Sequence, residues 1–319
     1  MFHEIVAVLV TTAYLLTPQP EIKPEEIIPP PPPPPAIVEE ISYPVNVPII
    51  IYHHLAPPGL GIPYNDEIIT PVQFENQIKL LKDMGFSSVT VSELAEMMRE
   101  GKMAEEKVFS ITFDDGYESN YIYAFPILKK YNMKATINVV VKTIQEETTA
   151  EFDPEKLTHL SWEQMREMVD SGLIEFGSHT YNQHIYEVID NKKTAPALTN
   201  RVYLYKEQRF ESDEEWRTRI FDDLLLAKAK MEHKLGYTPK VIAYPYGDYN
   251  QAVTEVAQAV GYEIGLTTNP GLTVADSPIL ELPRTYIRPN DDMAYFYFKI
   301  KNITPEQTVK EEKAGKTSG

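Results

Sequence analysis

The chain has 319 residues, of which 43% are apolar, and its 20 tyrosines and 12 phenylalanines can fill a large core, which excludes wholesale disorder. It contains no cysteine, so disulfide scaffolds, thiolate metal sites and cysteine nucleophiles are excluded, and any metal must be held by His, Asp or Glu. A formal charge of −17, from 30 Lys and Arg against 47 Asp and Glu, repels phosphate backbones and argues against nucleic-acid binding.

The first 42 residues predict two segments that precede the folded domain. Residues 1–20 carry an apolar run, Ile5–Leu16, which is short for a membrane span and predicts a degenerate signal or anchor segment. The alternative is a first helix or strand of the domain. Residues 21–42 include the prolines 29–35 and predict an extended spacer, because proline has no N–H and fixes φ.

Such a spacer suits an extracellular catalytic domain that is tethered to a membrane or cell wall. A proline motif bound by an intracellular signalling domain is the competing interpretation. The folded domain is predicted over residues 43–303, and the polar residues 304–319 predict a tail.

Strand-like and helix-like runs alternate through this domain in chain order. NVPIIIYHH, SSVTV, KVFSITFDDG, KATINVVV, LIEFGSH, KVIAYPYG, YEIGLTT and ILELPRTYI predict strands. Helices are predicted between them, including SNYIYAFPILKKYN despite Pro126, and two open with capping boxes, Ser161 with Gln164 and Ser212 with Glu215. Repeated β-then-α units predict an α/β fold with a parallel sheet wound into a barrel. Residues 185–211 fit no unit and predict an insertion.

Polar residues gather where these strands end. Because the carboxyl ends of barrel strands build active sites, we expect the residues at those ends to lie together. The alternative is that each of them only caps a loop. The residues are His53, His54, Asp114, Asp115, His179, His184, Tyr246 and, less clearly placed, Arg284.

Two adjacent acids, Asp114 and Asp115, end the strand ITFDDG, and Gly116 permits a sharp turn after them. Two carboxylates this close repel each other unless a cation or a proton lies between them. One can bind a metal ion while the other acts as a base. An ordinary turn or a fragment of a calcium loop is the alternative for this motif alone.

The motif GSHTYNQH places His179 and His184 five residues apart. On an ideal helix they would point about 140° apart, so they can converge only on a loop, which Gly177 and Asn182 favour. Two imidazoles and one carboxylate hold a divalent ion such as zinc with a position open for water. Two surface histidines near a substrate are the alternative, but they leave the aspartate pair unexplained.

In combination, TFDDG, SHTYNQH, AYPYG and a late LPR resemble the polysaccharide deacetylases of carbohydrate esterase family four. The similarity extends over residues 44–289. Most members space the two histidines four apart, whereas the spacing of five resembles the branch that acts on poly-N-acetylglucosamine. That branch is circularly permuted and carries its histidine acid near the start of the chain, where IIIYHHL matches it. The usual late position is empty here, since no histidine follows His233.

The resemblance implies a distorted (β/α)7-type barrel and a role for each matched residue. Asp114 is the expected base. The expected ligands of zinc are Asp115, His179 and His184, with cobalt, nickel or manganese as alternative metals. Tyr246 is expected to donate its backbone N–H to an oxyanion. The expected acid is His53, because it directly follows the tyrosine, although strand alternation alone does not choose between His53 and His54. AYPYG lacks the arginine that the family commonly has there, and Arg284 is expected to supply the charge. The expected substrate contacts are Tyr244, Pro245 and His54. The alternative for Tyr244 is a plain aromatic-proline turn, and the alternative for His54 is a residue that faces a loop or supports the site from behind.

The implied activity is metal-dependent hydrolysis of N-acetyl groups from an N-acetylglucosamine polymer, with release of acetate. Poly-N-acetylglucosamine, chitin oligomers and peptidoglycan all remain open as substrates. The rival function is an inactive glycan-binding or wall-anchoring domain on the same fold. The intact Asp114, Asp115, His179 and His184 argue against that rival.

Overall fold

Buried parallel strands form the centre of this computed structural model, which describes residues 46–60, 65–103, 107–148, 151–190 and 193–301. The predicted segments 1–20, 21–42 and 304–319 lie outside the described residues. Within the described ranges, no helix has the length and apolar character needed to cross a membrane.

The main sheet consists of β1 (Ile49–Tyr52), β4 (Ser87–Ser88), β5 (Val108–Phe113), β6 (Ala135–Val139), β7 (Ile174–Ser178), β12 (Val241–Ala243), β13 (Ile264–Leu266) and β14 (Thr285–Tyr286). Its strand order is β13-β12-β7-β6-β5-β1-β14, with β4 paired to β5, and every pairing in it is parallel. The segment 282–286 links the two ends of this order, since Leu282 bridges Leu266 of β13 while Thr285 of β14 pairs with Ile50 of β1. The sheet is therefore curled into a half-barrel, and the predicted α/β fold with a parallel sheet is confirmed.

The described residues contain seven α-helices, of which the first six lie between strands and the seventh follows the last strand. They are α1 (Pro71–Asp83), α2 (Val91–Glu100), α3 (Phe125–Tyr131), α4 (Trp162–Asp170), α5 (Asp213–Leu235), α6 (Gln251–Val260) and α7 (Met293–Lys301). Their starts follow from local sequence: Thr70 caps α1 with a proline in the first turn, and capping boxes open α2, α4 and α5. The boxes predicted at Ser161 with Gln164 and at Ser212 with Glu215 are confirmed.

The helix predicted across Pro126 is present, but its hydrogen bonding changes just before that proline. Asn120–Ala124 forms a π-helical turn that runs directly into α3 at Phe125, with helical backbone at the junction. A proline is tolerated there because the π turn interrupts the regular α-helical ladder, so the missing N–H of Pro126 costs little.

The predicted insertion between β7 and α5 folds into small antiparallel pairs outside the main sheet. One hairpin joins β8 (Tyr186–Asp190) to β9 (Lys193–Pro196), and a second joins β10 (Tyr203–Leu204) to β11 (Arg209–Phe210). A further short parallel pair, β2 (His54–Leu55) with β3 (Ile68–Ile69), lies near the start of the domain. The starts of β2, β3 and β8 lie at the carboxyl ends of the central strands, where His53, Glu67 and Tyr186 are placed.

Candidate metal centre and active-site cavity

A cavity of about 590 Å³ opens at the carboxyl ends of the central strands. Six of the residues predicted from the sequence line it, whereas Arg284, Tyr244, Pro245 and His54 do not. The lining residues are His53, Glu67, Asp114, Asp115, Tyr117, His179, His184, Tyr246, Gly247, Thr268, Pro270, Tyr286 and Arg288.

Asp115, His179 and His184 form a compact group with one ligand atom each, and these atoms lie within 4.8 Å of one another. Oδ1 of Asp115 is 3.6 Å from Nε2 of His179 and 3.5 Å from Nε2 of His184. The same Oδ1 is buried and has no hydrogen-bond partner in the described residues. A buried carboxylate oxygen without a donor fits a cation that lies between the three side chains.

The orientation of His179 also fits a metal ligand. Its Nδ1 lies 2.8 Å from the carbonyl oxygen of Ala243 and donates to it, so the lone pair of a neutral ring is on Nε2, toward Asp115. Burial lowers the pKa of His179, against the opposing effect of Asp114 and Asp115. A neutral imidazole with a fixed tautomer is the form that binds zinc, and the donor set of two histidines and one carboxylate suits that ion.

Three residues of the site have left-handed backbone conformations that favour glycine. The φ angles are 71° at Asp115, 72° at Thr180 and 60° at Tyr246. Thr180 lies between β7 and His184, so His179 and His184 converge on a loop, as their spacing predicts. Strained backbone of this kind recurs at functional sites, where surrounding contacts hold it in place.

The loop that carries His184 is held by Asp223 of α5. The buried carboxylate of Asp223 accepts hydrogen bonds from the backbone N–H of Tyr181 at 2.8 Å and of Asn182 at 2.9 Å. It also accepts one from Nε2 of Gln183 at 2.9 Å. All three donors directly precede His184, so this carboxylate fixes the position of the second histidine in the candidate metal centre.

Replacing Asp223 by asparagine should weaken zinc binding by about 10- to 100-fold, the usual effect of losing a partner that orients a metal ligand. The new amide places an NH2 group, which cannot accept a hydrogen bond, against the backbone N–H of Tyr181 or Asn182. One of these hydrogen bonds is lost, and the loop is held less firmly. Competition against a chromogenic zinc chelator measures this loss. Asp222→Asn is the matched control, because Asp222 is exposed and precedes Asp223 on the same helix. Equal zinc affinity in the two variants would contradict the assigned role.

Asp114 is buried beside the metal centre in a bidentate ion pair with Arg284. Nη1 of Arg284 donates to Oδ1 at 2.9 Å and Nη2 donates to Oδ2 at 2.7 Å. Nδ2 of Asn138 donates a further hydrogen bond to Oδ1 at 2.8 Å. Burial raises the pKa of Asp114, but the charge and the two hydrogen bonds of the Arg284 guanidinium outweigh it and hold that pKa well below its usual range. Asp114 is therefore ionised. Arg284 does not line the cavity, and it affects the site by holding the Asp114 carboxylate.

Glycine at position 177 is required by the same arrangement. A Cβ at Gly177 would lie 2.3 Å from Oδ1 of Asn138, the side chain that donates to Asp114. Gly247 has a similar role in the cavity wall, because a Cβ there would lie 1.8 Å from Oγ1 of Thr268. Both glycines allow a polar side chain to approach the backbone closely.

The two neighbouring histidines have different surroundings. His53 lines the cavity, packs against Tyr286 at 5.5 Å between ring centroids, and has a buried Nδ1 without a partner in the described residues. His54 is buried outside the cavity, where its Nδ1 lies 2.9 Å from Oγ of Ser119. Burial, with a smaller effect of His159, lowers the pKa of His54 to about 4. The expected substrate contact by His54 is therefore not supported by its position.

The expected substrate contacts by Tyr244 and Pro245 also need correction, because both side chains are buried outside the cavity. Tyr244 stacks on Tyr249, and its hydroxyl donates to the carbonyl oxygen of Leu280 at 3.0 Å. Tyr246 and Gly247 are the residues of this motif that line the cavity, and the ring of Tyr246 stacks on His184 there at 4.3 Å and 25°. The aromatic-proline turn that was the alternative for Tyr244 is what the structure has.

Five lining residues with polar side chains were not singled out from the sequence: Glu67, Tyr117, Thr268, Tyr286 and Arg288. Burial, with a contribution from the Asp115 carboxylate, raises the pKa of Tyr117, so that phenol keeps its proton. Burial also raises the pKa of Tyr286. The cavity wall therefore offers protonated hydroxyl groups as well as one acid and one guanidinium.

A protein-family model described as polysaccharide deacetylase matches residues 101–265 of this chain. The chain is 31% identical over 260 residues to YxkH of Bacillus subtilis (strain 168), a protein named as a polysaccharide deacetylase, and the match covers 82% of this chain and 78% of YxkH.

It is also 31% identical over 234 residues to the poly-beta-1,6-N-acetyl-D-glucosamine N-deacetylase of Escherichia coli (strain K12). That match covers 71% of this chain but 34% of the relative, so the chain spans about a third of the E. coli enzyme. Among solved structures, the BpsB deacetylase domain of Bordetella bronchiseptica has a TM-score of 0.64 at 27% identity, over 76% of this chain and 96% of that domain.

Proposed function

The chain belongs to the polysaccharide deacetylase family, and on that premise we propose that it is a metal-dependent N-deacetylase of an N-acetylglucosamine polymer. One observation carries this proposal: the ligand group Asp115, His179 and His184 shares a cavity with the carboxylate of Asp114 and the imidazole of His53. A base, an acid and a metal site together are what hydrolysis of an acetamide needs.

Asp115, His179 and His184 would hold the divalent ion, and zinc suits this donor set best. When bound, the ion supplies Lewis acidity for water and for the acetamide carbonyl. The backbone N–H of Tyr246 is the proposed donor to the oxyanion, as the family resemblance implies.

Asp114 is the proposed base because it is ionised and lies at the cavity wall. It accepts a proton from the water whose oxygen forms the new bond to the acetyl carbon. His53 is the proposed acid, because the bond from that carbon to nitrogen breaks easily only when the leaving nitrogen gains a proton. The products are acetate and a glucosamine unit, which takes up a further proton in solution.

We propose poly-β-1,6-N-acetylglucosamine as the substrate, because the E. coli relative is named for it. A chain of net charge −17 does not repel this neutral polymer or its cationic product. Acetate release by the zinc-loaded protein should be measured on this polymer, on chitin oligomers and on peptidoglycan. Binding of the polymer without acetate release from any of the three would contradict the proposed activity and favour the inactive glycan-binding function.

We also propose that the enzyme acts outside the cytoplasm. The apolar run within residues 1–20 and the proline-rich residues 21–42 support export and a tether, and both lie outside the described residues. Fractionation of the producing cells, with detection by an antibody to the folded domain, tests this location.

His53→Ala should lower turnover by about 10²- to 10⁴-fold with zinc retained, and it should flatten the alkaline limb of the pH–rate profile. An acid works only while protonated, so its loss removes that limb. His54→Ala should have a much smaller effect on turnover, because the His54 ring lies outside the cavity. Kinetics across pH, with zinc content measured for both variants, check this. If His54→Ala is the more impaired variant, the assignment of the acid is wrong.

A further inference from the structure

An exposed tyrosine of the insertion lies against the cavity wall. Tyr186, at the start of β8, is 54% exposed, and its ring centroid is 4.7 Å from that of Tyr246 at an angle of 61°. Tyr246 is itself 40% exposed and stacks on His184. We call these two tyrosines the aromatic corner. It extends without a break from a proposed metal ligand to the solvent.

The β8–β9 hairpin that carries Tyr186 is closed at its base. Tyr186 pairs with Pro196 in the antiparallel register, and the N–H of Ala197 donates to the carbonyl oxygen of Ile185 at 3.0 Å. Tyr186 therefore lies at the fixed end of the hairpin and not at its tip.

Helix α5 holds this base against the domain. Leu198 is fully buried, and Nε1 of Trp216 donates to its carbonyl oxygen at 3.1 Å. Nη2 of Arg219 donates to the carbonyl oxygen of Ala197 at 3.1 Å, and the same guanidinium forms a largely buried ion pair with Glu211. An aromatic side chain that is exposed on such a rigid base is pre-organised for binding, because little further ordering is needed.

We propose that the aromatic corner binds a sugar ring of the substrate next to the unit whose acetamide enters the cavity, and this inference rests on the proposed function. A pyranose ring has apolar C–H faces and a rim of hydroxyls. It can therefore pack on tyrosine rings while its rim stays hydrated. The cavity has a volume typical of small-molecule sites, roughly 300–1,000 Å³, so a polymer with one unit in the cavity must pass over an edge of the cavity. The aromatic corner forms one such edge.

Tyr186→Ala in the full-length, zinc-loaded protein tests this proposal. We expect kcat/KM for a pentamer of β-1,6-linked N-acetylglucosamine to fall about tenfold more than kcat/KM for a small acetyl ester that fills only the cavity. Tyr186→Trp should restore the pentamer rate, since it restores an aromatic face. Tyr205→Ala is the matched control, because Tyr205 is a 67% exposed residue of the same insertion whose ring packs on Tyr203, not on the aromatic corner.

Equal losses on the pentamer and the ester, or no loss on the pentamer, would overturn the proposal. Titration of the pentamer into the protein, followed by calorimetry, separates this inference from the proposed function. If the protein releases no acetate but Tyr186→Ala still weakens pentamer binding about tenfold, the aromatic corner stands and the proposed activity falls. If the protein is active and Tyr186→Ala binds the pentamer as tightly as the unaltered chain, only the aromatic corner falls.

Discussion

Replacing His179 by alanine should abolish stoichiometric zinc binding and, with it, deacetylation. His179 is one of three protein ligands, and its Nε2 is directed at the centre by the hydrogen bond from its Nδ1 to Ala243. We expect the zinc affinity to fall by more than about 100-fold, because removing a ligand should weaken binding more than removing a residue that only orients a ligand. Metal analysis after dialysis against buffered zinc measures the occupancy, and the acetate assay measures turnover.

His233→Ala is the control for this experiment. His233 is exposed in the last turn of α5, so its loss should leave zinc content and turnover unchanged. Thermal unfolding of both metal-free variants separates loss of a ligand from loss of the fold. Full metal occupancy in the His179→Ala protein would defeat the assignment of the metal centre.

The second large effect is expected at Asp114. Asp114→Asn should retain zinc and lower turnover by about 10²- to 10⁴-fold, because asparagine cannot accept a proton at neutral pH. Zinc analysis and the acetate assay on the same sample distinguish a base from a ligand. Simultaneous loss of the metal would mean that Asp114 is a ligand and that the division of roles between the two aspartates is wrong.

The same substitution should also lower the free energy of unfolding by about 3–5 kcal/mol, because it leaves the buried guanidinium of Arg284 without its counter-charge. The pKa of Asp114 is lower in the folded chain than in the unfolded chain, so this contribution is fully present above the unfolded pKa of about 4. It is lost as the pH falls below that value. Urea unfolding should therefore show a difference between the two proteins that is large at pH 7 and shrinks below pH 4.

Adding Arg284→Met to Asp114→Asn should recover part of the stability but none of the turnover. The double variant no longer buries an unpaired charge, whereas the base is still missing. Recovery of turnover in the double variant would contradict the role of Asp114 as a base. This combination also distinguishes a chemical loss from a folding defect.

Much of the fold and of the candidate metal centre follows from local sequence. A β-branched strand that ends in two acids places both at the carboxyl edge of a parallel sheet, and Asp114 and Asp115 lie there. A spacing of five residues cannot align His179 and His184 on a helix, and the two rings lie 5.0 Å apart on a loop. Capping boxes predicted two helix starts because they depend only on residues three positions apart.

Side-chain direction past a strand end could not be predicted. Tyr244 directly follows β12, yet its ring turns into the core against Tyr249, and only Tyr246 faces the cavity. The left-handed backbone of Tyr246 produces this reversal, and nothing in AYPYG marks a tyrosine for that conformation. Of the three residues predicted from this motif, only Tyr246 therefore lines the cavity, and its role as the backbone donor to an oxyanion stays a prediction.

The residues missed entirely depend on long-range packing. Glu67 precedes the two-residue strand β3, and Tyr286 ends the two-residue strand β14, and such short elements leave no periodic pattern. Asp223 follows Asp222 on α5, and the sequence FDDLLL does not indicate which carboxylate is buried against the histidine loop. Only the packing of α5 on that loop decides this.

The left-handed conformations of Asp115, Thr180 and Tyr246 have a consequence for attempts to make the enzyme more heat-resistant. Each such residue costs on the order of 1–3 kcal/mol, which glycine would largely recover. A library selected only for survival at high temperature would thus be drawn to glycine at these positions. Such a selection would replace residues of the candidate metal centre, because natural chains keep strained backbone where activity needs it. Directed evolution of this scaffold therefore has to select for turnover in every round.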